Sequence, residues 1–302
     1  MLQFHPISLK DQDWITPYYQ KRDCPAAQYT FASSFIWSVG YQVGVCEDDG
    51  YFFLRYEGGD SGHIGYRCPL GFDGDEGLRR AVEKLMAYCR AGGESSLLLH
   101  NVPPEETAAL HRIFGDRLIS HESRDDYEYL YDRQALAELK GSKYHGKRGH
   151  IKRFLATDWR YETLTPERIP DVLLMHSEWC RLNDCGKNPE LCREGMAVRE
   201  ALDHFTELGL RGGLLYQDGR VVAYTIGEPA GGGAFAVHFE KAYGDVQGAY
   251  PAINQLFVQR EMADFSLVNR EEDTGSEGLR KAKLSYHPVS LLELMNLEIP
   301  LE

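Results

Sequence analysis

The stretch Asn269–Pro288, NREEDTGSEGLRKAKLSYHP, gathers acids, bases and glycines in a short space. The apolar run Phe265–Asn269 predicts a strand, and it ends in Arg270, Glu271, Glu272 and Asp273. Gly275 and Gly278 then frame a helix bearing Arg280, Lys281 and Lys283. Acids at a strand end that face a basic helix make a mixed-charge site. Glu271, Glu272 or Asp273 can take a proton from an attacking amine or hydroxyl. Arg280, Lys281 and Lys283 can hold a phosphate or stabilise an oxyanion, and Tyr286 can protonate a leaving group. Asn269, the last strand residue, counts among the substrate-facing positions. The same residues also suit an ion-pair network beside a helix that Ser276 and Glu277 begin. Spacing leaves these readings open, along with the choice of base.

Two further segments suit anions. Leu139–Phe154, LKGSKYHGKRGHIKRF, carries Lys140, Lys143, Lys147, Arg148, Lys152 and Arg153 with no acid among them. In a chain of net charge −13 this local excess invites an anionic partner, with Lys147, Arg148 and His150 as contacts. The alternative is a solvated helix face anchored by Tyr144, Ile151 and Phe154. In Phe239–Gln259 a glycine loop, Gly244 to Gly248, precedes a helix. A helix N-terminus with free N–H groups suits a pyrophosphate, as in coenzyme A, and Gly248 sits at that loop. A tight turn that needs glycine explains Gly248 equally. Asn254 falls on the first turns of this helix, where its amide can face a cleft.

The 302 residues, 43% hydrophobic and 26% charged, describe a globular chain with room for two domains. Thirty-three Lys+Arg against 46 Asp+Glu exclude a uniformly basic nucleic-acid coat, so a polyanion site must be a local patch. No apolar run of about 18 residues predicts a membrane span. No signal peptide is visible, so the expected location is the cytoplasm. Seven scattered cysteines read as reduced thiols. Cys180, Cys185 and Cys192 lack a C-x-x-C pair or a histidine pair, and no metal site is expected.

Periodicity and turn signals predict helix Asp11–Arg22, then strands Trp37–Glu47 and Gly50–Tyr56 joined at Asp49-Gly50. Strand His63–Arg67, helix Asp75–Arg90, strand Ser96–His100, helix Pro103–Phe114 and strand Tyr127–Tyr131 follow. After the basic segment come strand Tyr161–Leu164, helices Pro166–Leu182 and Pro189–Leu208, and a meander of Gly212–Tyr216, Arg220–Glu228 and Ala234–Phe239. Helix Pro251–Ala263, strand Phe265–Asn269, helix Glu277–Ser285 and strand Val289–Leu297 close the chain. The second half repeats the order of the first. That order predicts an α+β protein of two tandem acetyltransferase (GNAT)-like domains, residues 1–132 and 133–302. Each would be a mixed, mainly antiparallel sheet flanked by helices.

Three motifs carry a resemblance. They are Lys140-Gly141-x-x-Tyr144-x-x-Lys147-Arg148-x-His150-Ile151-x-x-Phe154, Tyr250-x-x-Ile253-Asn254-Gln255-x-Phe257, and Asn269-Arg270-Glu271-Glu272-Asp273-x-Gly275-x-x-Gly278-Leu279-Arg280-Lys281-Ala282-Lys283-x-Ser285-Tyr286-x-Pro288. Across nearly its whole length the chain resembles the bacterial proteins grouped with the phosphatidylglycerol lysyltransferase C-terminal domain. The resemblance implies two acetyltransferase-like domains, as in the Fem-type aminoacyl transferases, with a cleft between them. It implies transfer of an acyl or aminoacyl group to an amine or hydroxyl acceptor, a small molecule or a lipid headgroup. The donor would be aminoacyl-tRNA or acyl-CoA, without a resident cofactor. The lysyl and lipid parts do not carry over, because the lysyltransferases bear a large membrane-spanning region that this sequence does not show. The competing expectation is a non-catalytic module that senses a phosphorylated ligand or tRNA.

Overall fold

The computed structural model describes residues 1–58 and 63–301. Its strands are β1 (His5–Pro6), β2 (Gly44–Asp48), β3 (Tyr51–Gly58), β4 (His63–Tyr66), β5 (Ser96–Val102), β6 (Ile119–His121), β7 (Glu128–Asp132), β8 (Trp159–Thr163), β9 (Arg211–Gln217), β10 (Arg220–Pro229), β11 (Ala234–Ala242), β12 (Leu267–Asn269), β13 (Ser290–Leu292) and β14 (Met295–Pro300). Its α-helices are α1 (Gln12–Arg22), α2 (Phe31–Ile36), α3 (Ser38–Tyr41), α4 (Gly74–Gly92), α5 (Pro104–Phe114), α6 (Arg133–Glu138), α7 (His145–Phe154), α8 (Ile169–Leu182), α9 (Pro189–Asp203), α10 (Ala249–Glu261) and α11 (Glu277–Leu284).

The strands form two seven-stranded sheets, ordered β1-β2-β3-β4-β5-β14-β6 and β13-β7-β12-β11-β10-β9-β8. Each is mainly antiparallel with one parallel junction, β4 with β5 and β11 with β12. This is the expected α+β arrangement. The tight turns arise where the sequence marks them. Asp49-Gly50 and Asp218-Gly219 all have positive φ, the geometry of a two-residue hairpin loop. The apolar stripe of α4, from Leu78 to Cys89, is buried on the first sheet, and Gly93 ends the helix at φ +80°. One core lies under α4 and α5. The larger core runs through both halves, from Ile15 and Phe52 to Tyr129, Leu136 and Phe257.

The halves exchange strands. β7 lies in the second sheet between β13 and β12, whereas β14 crosses back into the first between β5 and β6. The sheets therefore do not follow the division at 132/133 strand by strand. The single strand expected over Val289–Leu297 is two strands in different sheets, separated at Glu293–Leu294.

The expected strand Trp37–Glu47 is also corrected. Residues Ser38–Tyr41 are helical, and Gln42, at φ +39°, turns the chain into β2. The alternation Trp37, Val39, Tyr41, Val43 imitates a strand. Thr30, however, caps α2 by accepting the Ser33 N–H, and the coil continues through Trp37, whose carbonyl accepts the Gly40 N–H. Tertiary contact holds it: the Trp37 ring lies 6.1 Å from Phe239. Among the described residues no helix is long and apolar enough to cross a membrane.

The strand exchange makes β14 a structural member of the first half. Leu297 is 1% exposed there. Leu297→Ala should cost about 2–5 kcal/mol in urea unfolding; a loss under about 1 kcal/mol would mean that β14 is dispensable.

Candidate active site

The parallel pairing of β11 with β12 covers only three residue pairs, Ala234–Leu267 to Ala236–Asn269. Beyond them the strands part, and the sequence shows why. Ile226 faces Phe239 and Gly227 faces Val237, so His238 is an extra residue, a β-bulge. The bulge bends β11. Gly227 permits it, because a Cβ there would lie 2.1 Å from the Ala236 carbonyl oxygen. The segment after β12 instead stays with β7, through the Arg270 N–H to Tyr129 O and the Tyr129 N–H to Glu271 O. Polar side chains bridge the resulting split.

At one end of the split the groups are mostly acidic. The buried His238 donates from Nδ1 to Glu271 Oε1 (2.7 Å) and from Nε2 to Glu228 Oε1 (2.9 Å). Burial alone would lower its pKa, but the two carboxylates outweigh this and raise it to about 10, so the ring is an imidazolium. Glu228 Oε1 also accepts from Thr30 Oγ1 (2.5 Å) of the first half. Glu271 holds a left-handed φ of +58°, and its N–H bonds to Asn269 Oδ1. The Asn269 amide donates to Glu128 Oε2 (2.6 Å) and to Pro25 O (2.8 Å). Glu128 Oε2 also accepts the Ala27 N–H, while Glu128 Oε1 is buried without a partner. Burial and the neighbouring Glu272 push Glu128 up to about 8. Glu272 accepts no hydrogen bond from the side chain of any other described residue. Burial, then the charge of Glu271, raise it to about 7. The Lys283 ammonium gathers the carbonyls of Arg270, Glu271 and Glu272, and burial lowers its pKa to about 8.

At the other end cations prevail. Glu240 accepts from Arg270 (2.8 Å) and from the Asn254 amide (3.0 Å). Arg270 Nη1 and Asn254 Oδ1 are buried without a hydrogen-bond partner among the described residues. The Tyr286 ring lies against both cations, 3.9 Å from Lys147 Nζ and 4.8 Å from the Arg270 guanidinium. Burial, then Arg270, lower Lys147 to about 8. Tyr144 donates to the Tyr286 carbonyl (3.0 Å), which joins the basic segment to the C-terminal one. Gly248, at φ +87°, caps α10 where a Cβ would come within 2.3 Å of the His150 carbonyl oxygen, so glycine here serves close packing of α10 on α7.

The structure thus brings Glu271, Glu272, Asn269, Lys283, Asn254, Lys147 and Tyr286 to one split. Other candidates point elsewhere. Asp273, fully buried, binds Arg280 through both oxygens and accepts from Tyr129 (2.5 Å). Despite burial, these donors lower its pKa to about 2. Arg280 also binds Asp125 (2.6 Å). The Arg148 guanidinium is occupied by the carbonyls of Leu139 (2.5 Å) and Gly141 (2.6 Å). Lys281 and His150 are exposed. Glu128, Glu228, His238 and Glu240 escaped the sequence reading. Their signal was charge inside otherwise apolar strands, as in Ala234–Ala242. Among the described residues no cluster suited to a metal ion occurs. Cys180, Cys185 and Cys192 line a separate groove with Leu191 and Met196.

The family described as phosphatidylglycerol lysyltransferase, C-terminal, matches residues 22–294. A conserved protein of unknown function from Bacteroides thetaiotaomicron VPI-5482 is 35% identical, with each chain covered in full and a TM-score of 0.91. L-PGS from Bacillus licheniformis is 12% identical over 99% of this chain and 93% of that one, with a TM-score of 0.66. FemX is 11% identical over 99% and 97%, with a TM-score of 0.65. Among curated proteins none matches. The fold is that of two tandem GNAT-like domains.

Asp273 carries a clear pH signature. Its folded pKa lies below the ordinary 3.8, so its contribution is complete above about pH 4 and disappears as pH falls toward 2. Asp273→Asn should cost about 3 kcal/mol at pH 7 and flatten this acid limb of stability. Chemical denaturation across pH would contradict the assignment if wild type and variant ran parallel.

Proposed function

Because the chain belongs to the phosphatidylglycerol lysyltransferase C-terminal family, we propose that it is an acyltransferase that moves an aminoacyl group to an amine or hydroxyl acceptor within the split between β11 and β12. The observation that carries this reading is the split itself: Arg270, Asn254 and Lys147 stand at one end and the Glu271–Glu272 turn at the other, where the Glu272 carboxyl, raised to about 7, accepts no hydrogen bond from the side chain of any other described residue. A general base works best with a pKa near the working pH. Asp273, held ionised by Arg280, is a poor base by the same criterion.

In the proposed reaction the acceptor N–H or O–H gives its proton to Glu272. Its lone pair forms a bond to the acyl carbonyl carbon. Lys147 and Arg270 stabilise the oxyanion, and Arg270 Nη1 makes no hydrogen bond to any described residue. As the carbonyl re-forms, the bond to the donor oxygen breaks and the leaving oxygen takes up the proton that Glu272 holds, which returns Glu272 to its carboxylate. The donor ester is already activated, so positioning and electrostatics suffice. Aminoacyl-tRNA is favoured over acyl-CoA by the exposed bases along α7. Lys152 and Arg153 there are exposed and have no acidic partner among the described residues, whereas Arg148 braces the chain before the helix. The acceptor is an amine or hydroxyl on a small molecule or lipid headgroup.

Incubation with radiolabelled aminoacyl-tRNAs and, separately, acyl-CoAs tests the reading. Protein-dependent transfer of label from the tRNA set is expected. Binding with the donor bond left intact would indicate a sensor module. Glu272→Gln should lower kcat by about 10²–10⁴-fold, and wild-type kcat should fall below about pH 7. Lys147→Ala should weaken donor binding, most clearly below the Lys147 pKa of about 8, with stability within about 1 kcal/mol of wild type. Unfolding of that variant would make Lys147 a strut instead.

A further inference from the structure

We propose that Thr30, Glu228 and His238 form a positioning line that runs from the first half of the chain to Glu271 and thereby fixes the turn that presents Glu272. This rests on the acyltransferase reading above, in which Glu272 is the base.

The line is continuous. Thr30 Oγ1 donates to Glu228 Oε1, which also accepts from His238 Nε2, and His238 Nδ1 donates to Glu271 Oε1. Both ring nitrogens face acceptors only, so both carry protons. The anchor is held at its origin, because Thr30 caps α2 and Glu228 is the last residue of the buried run of β10. His238 owes its aim to the bulge, which takes it out of register with β10. Its target is the strained residue of the segment. A non-glycine φ of +58° at Glu271 persists only where neighbours hold it. Here His238 holds the side chain, Asn269 the N–H, and Lys283 and Tyr129 the carbonyl. Release of the side chain would let the Glu271–Glu272 turn relax.

The charges around Glu272 make the role measurable. Facing it or its neighbour are Glu128 from β7, Asp126 before β7, Lys283 from α11, His238 from β11, and Glu271 and Arg270 of its own segment; Glu228 lies behind His238. Removal of a cation from the line should raise the Glu272 pKa, and removal of an anion should lower it. These shifts follow from charge alone and report that the line reaches Glu272; the uncharged Thr30→Val is what separates positioning from electrostatics.

The experiment is a carboxyl ¹³C NMR titration of Glu272 in the full chain, with kcat and KM against pH wherever transfer is detected. His238→Gln should move the Glu272 midpoint up, and Glu228→Gln should move it down, each by about one unit. Thr30→Val changes no charge. It should leave the midpoint in place yet lower kcat about tenfold at nearly constant KM, and Thr30→Ser should restore it. Imidazole ¹⁵N signals should show His238 doubly protonated from pH 6 to 9. Shifts of the same sign, no shifts, or a His238 that titrates near neutrality would overturn the proposal. These readouts need no turnover. If the wild type transfers nothing, the acyltransferase reading fails by itself, and the titrations still decide whether the line governs Glu272.

Discussion

Two parallel neighbours in a sheet cannot part without leaving unpaired backbone and a gap, and here one extra residue in β11 forces them to part. The gap opens inside the molecule, where an unpaired polar group is expensive. Apolar side chains would have closed it. The chain fills it with His238, Glu240, Arg270 and Glu271, which bond across in pairs. A buried pair is a weak source of stability, since desolvation cancels much of the attraction. Such pairs do fix geometry: the bond to Glu240 holds Arg270 in place while its Nη1 is left without a hydrogen bond among the described residues.

The first half contributes more than a scaffold. Pro25 O, the Ala27 N–H and Thr30 Oγ1 bond to Asn269, Glu128 and Glu228 of the second sheet. The segment before α2 approaches closely as well, because a Cβ on Gly231 would lie 2.4 Å from the backbone of Asp23 and Cys24. Together with the exchanged strands, these contacts mean that the second sheet cannot assemble its polar line alone. Several of the hydrogen bonds at its acidic end, those from Ala27, Thr30 and Asn269, join residues more than 100 positions apart in the chain.

Much of this was legible in the sequence. Hairpin turns at Asp49-Gly50 and Asp218-Gly219, the stripe of α4 and the cap at Ser276 follow from local rules, and local rules sufficed. Trp37–Tyr41 failed because its alternation is real but its packing is against Phe239, a partner 200 residues away. The site was legible by composition only. The motif from Asn269 to Pro288 announced acids and cations, but not that Arg280 would turn to Asp273 while Lys283 turned to three carbonyls. On an eight-residue helix these two stand three positions apart and share one side, so spacing cannot rank them. His238 and Glu240 were invisible for another reason. A bulge breaks the period of two that marks inward positions, and it is set by the partner strand, through Gly227.

The arrangement separates charge along the split. Glu128, Glu228, Glu271 and Glu272 stand at one end against His238 and Lys283; Lys147 and Arg270 stand at the other against Glu240. The first end is therefore rich in carboxyls able to take a proton, and the second is net positive. Acyl transfer needs that polarity, because the nucleophile loses a proton while the carbonyl oxygen gains negative charge at a point a few ångströms away. One sign throughout would favour one event and oppose the other. Pairing every charge would favour neither, and this is the state of Asp273 with Arg280, whose donors and acceptors already satisfy each other. In the proposed reaction the groups that would act on a substrate are ones the fold leaves incomplete among the described residues: the Glu272 carboxyl, Arg270 Nη1, Asn254 Oδ1 and the Lys147 ammonium over the Tyr286 ring.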